Sequence, residues 1–203
     1  MKRYLMTVLL LATGIMAIAQ TTGYKPGDLA ANFSLKNIDQ KSVSLNDYKN
    51  AKGFIVIFTC NTCPVSQAYE ERINALQDRY GPQGYPVIAI NPNDPEVSAG
   101  DSYKAMQERA KAKNYSFVYL FDPGQVVSKQ FGAQRTPHVY LLNKTPEGNK
   151  VAYIGAIDND TENTKPEKIK YVEQAVDALL AGSQPPLAYT KAIGCSVKSK
   201  KQL

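Results

Sequence analysis

Five consecutive β-forming apolar residues, Phe54-Ile55-Val56-Ile57-Phe58, lead through Thr59 into Cys60-Asn61-Thr62-Cys63-Pro64, and no other feature constrains this chain as much. An unbroken apolar run of that length suits a strand covered on both faces. After the cysteines the period changes. Val65, Ala68, Tyr69, Ile73, Leu76 and Tyr80 share one helical face, which predicts a helix from Pro64 to about Tyr80. Pro64 fits its first turn, where a missing N–H costs nothing, and Gly81-Pro82 and Gly84 stop it. Val87 to Ile90 reads as the next buried strand. The cysteine pair therefore sits in a βαβ unit, between a core strand and a helix N-terminus.

That placement gives the pair its chemistry. Cys60 lies just ahead of the helix, near unsatisfied backbone N–H groups and the positive end of the dipole, which favour thiolate over thiol. Lowering a thiol pKa from ~8.5 toward ~7 populates the nucleophile at neutral pH. Cys63, one turn in, is expected to be the more buried thiol and to close the disulfide. An inert bridge is disfavoured, because a two-residue spacer removes little unfolded-state entropy. A zinc site of four Cys and His ligands would need all three Cys and the one His to converge.

The other segments alternate. A hairpin or short strands are expected across Leu29 to Leu45, and a helix over Ser102 to Lys113. A strand over Ser116 to Phe121 follows, then a short helix over Gln125 to Phe131. Strands over His138 to Leu142 and Val151 to Ile157 flank a turn at Asn143 to Asn149, and a helix spans Glu167 to Ala181. Strands alternating with helices predict one α/β domain, and 203 residues suit one domain rather than two. Residues 1–19 have the grammar of a secretory signal peptide: Lys2 and Arg3, then an apolar stretch from Leu5 to Ile18, then Ala17-Ile18-Ala19 ahead of a cut before Gln20. The apolar run is shorter than the ~20 residues of a membrane span. The expected division is signal peptide 1–19, domain 20–182 and an extended tail 183–203. Export places the thiols in an oxidising compartment. The net charge of +6 is spread among interleaved acids and bases apart from Lys191, Lys198, Lys200 and Lys201 in the tail, so no nucleic-acid footprint is expected.

Phe58-Thr59-Cys60-Asn61-Thr62-Cys63-Pro64, with Thr136-Pro137-His138 before a later strand, resembles the thioredoxin-like superfamily. Pro26-Gly27-Asp28 with Phe33-Ser34-Leu35, and Phe121-Asp122-Pro123-Gly124-Gln125 with Phe131-Gly132, resemble its alkyl hydroperoxide reductase/thiol-specific antioxidant branch. The resemblance implies a thioredoxin-like fold, a central mixed sheet flanked by helices with an N-terminal hairpin extension. It implies that Cys60 is the attacking nucleophile and Cys63 the resolving thiol, and that Pro137 is a cis-proline. A cis bond there would leave the backbone N–H and C=O of Thr136 free to pair with an extended substrate segment.

The chain departs from that pattern. Thr59 stands where thioredoxins carry Trp, and there is no Trp at all; Phe54 and Ser66 stand where relatives place an acidic proton acceptor, leaving Glu70, Glu71 or water as candidates. A peroxidase reading needs P-x-x-x-[ST]-x-x-C. Gly53 and Ile57 for Cys60, and Val56 and Cys60 for Cys63, do not meet it. A copper chaperone would pair the thiols with His138, whose ordinary reading is a hydrogen-bonded residue at the start of a strand. Cys195 is the odd thiol: packed against the domain, joined to another chain, or accepting a disulfide relayed from the pair. The combined expectation is an exported, monomeric thiol–disulfide oxidoreductase acting on protein disulfides or dithiols with a redox partner protein. It would need no metal or organic cofactor and would have no stable membrane insertion after cleavage.

Overall fold

The computed structural model describes residues 23–200, so the expected signal peptide lies outside the described residues. The described chain forms strands β1 (Leu29–Ala30), β2 (Ser34–Asn37), β3 (Ser42–Ser44), β4 (Gly53–Phe58), β5 (Val87–Asn91), β6 (Val118–Phe121), β7 (Arg135–Thr136), β8 (His138–Thr145), β9 (Gly148–Gly155) and β10 (Cys195–Ser196). Its α-helices are α1 (Pro64–Tyr80), α2 (Tyr103–Ala112), α3 (Val126–Phe131) and α4 (Tyr171–Leu180). One mixed sheet runs β1-β9-β8-β4-β5-β6-β2-β3, and β10 pairs separately with β7.

The apolar run of β4 is central, parallel to β5 and antiparallel to β8. Because side chains alternate across a strand, it feeds two cores. Ile55 and Ile57 pack with Tyr69, Ile73, Leu76 and Tyr80 of α1 and with Val172 and Val176 of α4. Phe54, Val56 and Phe58 face the other layer with Val127 and Phe131 of α3 and Phe33 from the N-terminal segment. Every residue of β4 from Ile55 to Phe58 is 0% exposed, and each such side chain contributes about 1.5–3 kcal/mol of burial. The hairpin β2–β3 attaches antiparallel to β6 and extends the sheet, as expected.

The two largest departures from the expected boundaries have identifiable causes. The helix predicted from Glu167 starts at Tyr171, because side chains claim the preceding backbone: Asp160 accepts from Lys165 N–H at 2.8 Å and Asn159 from Ile169 N–H at 2.9 Å. The turn predicted over Asn143 to Asn149 shrinks to Pro146-Glu147, since β8 and β9 pair as far as Thr145 and Gly148.

The C-terminal segment is extended in form but docked along its length. Ile154 N–H donates to Ala188 O at 3.0 Å and Thr190 N–H to Ile154 O at 2.9 Å, on a stretch of β9 that β1 leaves uncovered. Further on, Val197 N–H donates to Gln134 O at 3.1 Å and Lys198 N–H to Asn93 Oδ1 at 2.9 Å. Hydrophobic periodicity carries no signal for such a segment, because its bonds are backbone bonds.

Candidate active site

The C-terminal end of β4 delivers Cys60 into a short loop, and Cys63 is the N-cap residue of α1 with Pro64 at the first helical position. Across from them, the Thr136–Pro137 peptide bond is cis. Thr136 is fully buried between the two thiol positions: its Oγ1 is 3.1 Å from Cys60 Sγ, and its carbonyl oxygen is 3.3 Å from Cys63 Sγ. Cys60, Cys63, Thr136 and Pro137, distant in sequence, therefore form one cluster.

The sulfur connectivity corrects the expectation. Cys63 is bonded to Cys195, 132 residues away with a Cα–Cα distance of 5.9 Å, and Cys60 is a free thiol. The backbone of Thr136 is not free either, because β10 lies antiparallel to β7 with Cys195 opposite Thr136. The physical reason is the docked C-terminal segment, which brings a third thiol onto the cis-proline loop. It also accounts for the burial of both thiol positions: Cys60 is 4% exposed and Cys63 2%, so Cys63 is not distinctively the hidden one.

The candidate proton acceptors are placed differently from one another. Glu70 Oε1 accepts from Arg109 Nε at 2.5 Å and from Tyr115 Oη at 2.7 Å, so that carboxylate is committed elsewhere. Phe54 is core. Ser66 is fully buried, and its Oγ accepts the long 4.0 Å contact from the Cys60 thiol.

Asp101 is a residue that sequence reasoning missed. It ends a 3₁₀ turn (Ala99–Asp101) just before α2 and is 0% exposed. Its carboxylate accepts from Asn61 N–H (2.7 Å), Thr62 Oγ1 (2.7 Å), Ser98 Oγ (2.7 Å), Asn93 Nδ2 (2.9 Å) and Asn91 Nδ2 (3.2 Å). Burial alone would raise its pKa, but the donors from Asn93, Ser98, Thr62 and Asn61 outweigh it and hold the carboxyl below its usual range. The Asn61-Thr62 spacer between the cysteines is thus shaped to bind this carboxylate. Tyr119 Oη and Gln67 Nε2 brace Asn61 further, at 3.0 and 2.6 Å. The network continues outward, because Asn93 accepts Lys198 N–H of the C-terminal segment.

His138 begins β8, as expected, but its buried Nδ1 has no hydrogen-bond partner. Burial pushes its pKa from 6.5 down to about 4. A base depressed in the folded state stabilises fully above its unfolded pKa and loses that contribution as the pH falls toward the folded one. Acidification from pH 7 to 4 is therefore expected to cost about 3 kcal/mol through this residue. Denaturant unfolding of His138→Phe should show that loss greatly reduced; an unchanged acid limb would refute the assignment. Among the described residues, no group of three or more His, Cys, Asp and Glu is placed to hold a metal ion, so the copper reading finds no donor set here. No helix of the described residues is long and apolar enough to cross a membrane.

The sequence profile of the AhpC/TSA family matches residues 26–154. The thiol–disulfide oxidoreductase ResA of Halalkalibacterium halodurans is 27% identical over 138 residues, covering 68% of this chain and 74% of the relative. A Mycobacterium tuberculosis protein bearing the name "Putative peroxiredoxin" is 30% identical over 133 residues, covering 64% of this chain and 77% of its own length. A solved structure of an uncharacterized conserved protein from Geobacillus kaustophilus superposes with a TM-score of 0.81 at 33% identity, over 88% of this chain and 94% of that one.

Proposed function

The chain belongs to the AhpC/TSA family of thioredoxin-fold oxidoreductases, and on that premise we propose that it is an exported enzyme exchanging disulfides with proteins through Cys60 and Cys63. One observation carries this reading: the Cys60 thiol and the Cys63 sulfur flank Thr136, at 3.1 and 3.3 Å, where the cis Pro137 turns the chain toward them. In the reductive direction the Cys60 thiolate attacks one sulfur of a substrate disulfide. A mixed disulfide forms and the other substrate sulfur leaves as a thiolate. Cys63, once reduced, attacks Cys60 in that intermediate, closing Cys60–Cys63 and releasing the second substrate thiol. Two electrons pass to the substrate, and a partner dithiol restores the pair. Thr136 and Pro137 position the substrate backbone, and no metal or organic cofactor takes part. Export rests on residues 1–19, whose composition is that of a signal peptide.

The test is reduction of insulin by the fully reduced protein, with Cys60→Ser as control. Insulin should precipitate with the wild type and not with the variant. The name of the Mycobacterium tuberculosis relative supplies the competing outcome. Rapid peroxide consumption with sulfenic acid at Cys60, and no insulin reduction, would replace this reading with a thiol peroxidase. The potential of the couple then fixes direction: near ~−270 mV it is a reductant, near ~−120 mV an oxidant.

A further inference from the structure

We infer that the segment around Cys195 is an internal substrate: it occupies the Thr136 groove as an extended strand, and Cys195 is a third redox-active residue that exchanges with Cys63. This rests on the proposed exchange chemistry and goes beyond it, by assigning the tail a role and the groove a sequence preference.

Three independent observations converge. Cys195 lies opposite Thr136 in an antiparallel pair and is bonded to Cys63, which is how a trapped substrate strand would sit. Gly194 makes the approach feasible, since a Cβ there would lie 2.1 Å from Thr136 O and 2.6 Å from Thr136 C. A side chain before the cysteine would therefore push the strand off the loop. Finally, the segment is held by polar contacts that can be remade. Arg135 Nη1 donates to Gly194 O at 3.2 Å and Ser196 Oγ at 3.3 Å, and Gln125 Nε2 and Asp94 N–H both donate to Lys198 O, at 2.8 and 2.9 Å. Burial contributes little, for Ile193 is 53% exposed.

The exchange balances without any external oxidant or reductant. The Cys60 thiolate attacks Cys63 in the Cys63–Cys195 bond; the Cys60–Cys63 bond forms, the Cys63–Cys195 bond breaks, and Cys195 leaves as a thiolate that takes a proton from water. The tail is then held by hydrogen bonds alone and the groove can open to an external strand. The same geometry defines the class of substrate: an extended protein segment with glycine immediately before its reactive cysteine.

The experiment has two arms. The full chain is equilibrated in glutathione buffers, acid-quenched, alkylated and mapped by mass spectrometry. Wild type should yield both Cys60–Cys63 and Cys63–Cys195 linkages, and Gly194→Ala should shift the ratio toward Cys60–Cys63 by about tenfold, the change that ~1.4 kcal/mol of clash produces. In the second arm, oxidised Cys195→Ser protein is mixed with a reduced peptide of sequence Ala-Ile-Gly-Cys-Ser-Val-Lys. A mixed disulfide should form with the protein, about tenfold slower when the peptide glycine is alanine. A Cys63–Cys195 bond that never exchanges with Cys60, or a peptide rate indifferent to that alanine, overturns the inference. Insulin reduction by Cys195→Ser separates the two readings: if it persists while the inference fails, the Cys60/Cys63 function stands. If it and the Cys60–Cys63 linkage are both absent, the fault lies in that function.

Discussion

Cys63→Ser is expected to abolish disulfide exchange, with turnover on insulin falling by about 10³-fold or more, equivalent to ~4 kcal/mol in barrier height. The size follows from position. Cys63 is the bonded partner of Cys195 in the structure and shares Thr136 with Cys60, so both proposed intramolecular disulfides, Cys60–Cys63 and Cys63–Cys195, pass through its sulfur. Without it, Cys60 can still attack a substrate disulfide, but the mixed disulfide has no neighbour to resolve it. The variant should therefore accumulate a covalent Cys60–substrate adduct, visible as a mass increase that dithiothreitol removes. The same change should lower stability under oxidising conditions. Closing a chain segment of 132 residues restricts the unfolded state by about 5 kcal/mol on the chain-entropy argument, an upper limit when the denatured chain is compact. Oxidised Cys63→Ser and Cys195→Ser should thus unfold at similar denaturant concentrations, both below oxidised wild type, while only Cys63→Ser loses turnover. Equal turnover in Cys63→Ser and wild type would remove Cys63 from the mechanism.

What could be read from residues alone was whatever has a local period or a local punctuation mark. The run from Phe54 to Phe58 and the helical face from Val65 to Tyr80 each announce their element within a few residues, and Cys60-x-x-Cys63-Pro64 marks the junction between them. Thr136-Pro137 was found through resemblance, since an isolated Thr-Pro dipeptide has no period. The partner of Cys63 was not legible, because three cysteines allow several connectivities and the choice depends on where a tail without periodicity returns. Gly194 beside Cys195 was the available sign, since glycine ahead of a cysteine permits close backbone approach. Asp101 was hidden for a different reason. In Ala99-Gly100-Asp101-Ser102 it reads as loop polarity ahead of a helix, and apart from the nearby Ser98 its donors come from two stretches, Asn61-Thr62 and Asn91 to Asn93, that only folding brings to it.

Asp101→Asn should be the most damaging change outside the thiols, destabilising the protein by about 3 kcal/mol or more, the cost of breaking a buried charged network and stranding its partners. The substitution conserves shape and replaces one acceptor oxygen with an NH₂ donor. The five donors now converging on the carboxylate then meet a group that cannot accept them all. Two consequences separate this from a general loss of packing. The first is acid sensitivity. A carboxylate held below its ordinary pKa in the folded state contributes stability that is complete above the unfolded value of 3.8 and disappears as the pH falls through the lower folded value. The difference in stability between wild type and Asp101→Asn should therefore narrow below about pH 3.8, beneath the range in which His138 acts. The second is sulfur partition. Asn93 binds Asp101 through Nδ2 and the tail's Lys198 N–H through Oδ1, so releasing Asn93 loosens the tail, and releasing Asn61 and Thr62 loosens the loop that carries Cys60. Mass mapping of the variant in glutathione buffer should show less Cys63–Cys195 linkage than wild type. A variant with wild-type unfolding midpoint and wild-type linkage would show that the carboxylate is a bystander to the loop it surrounds.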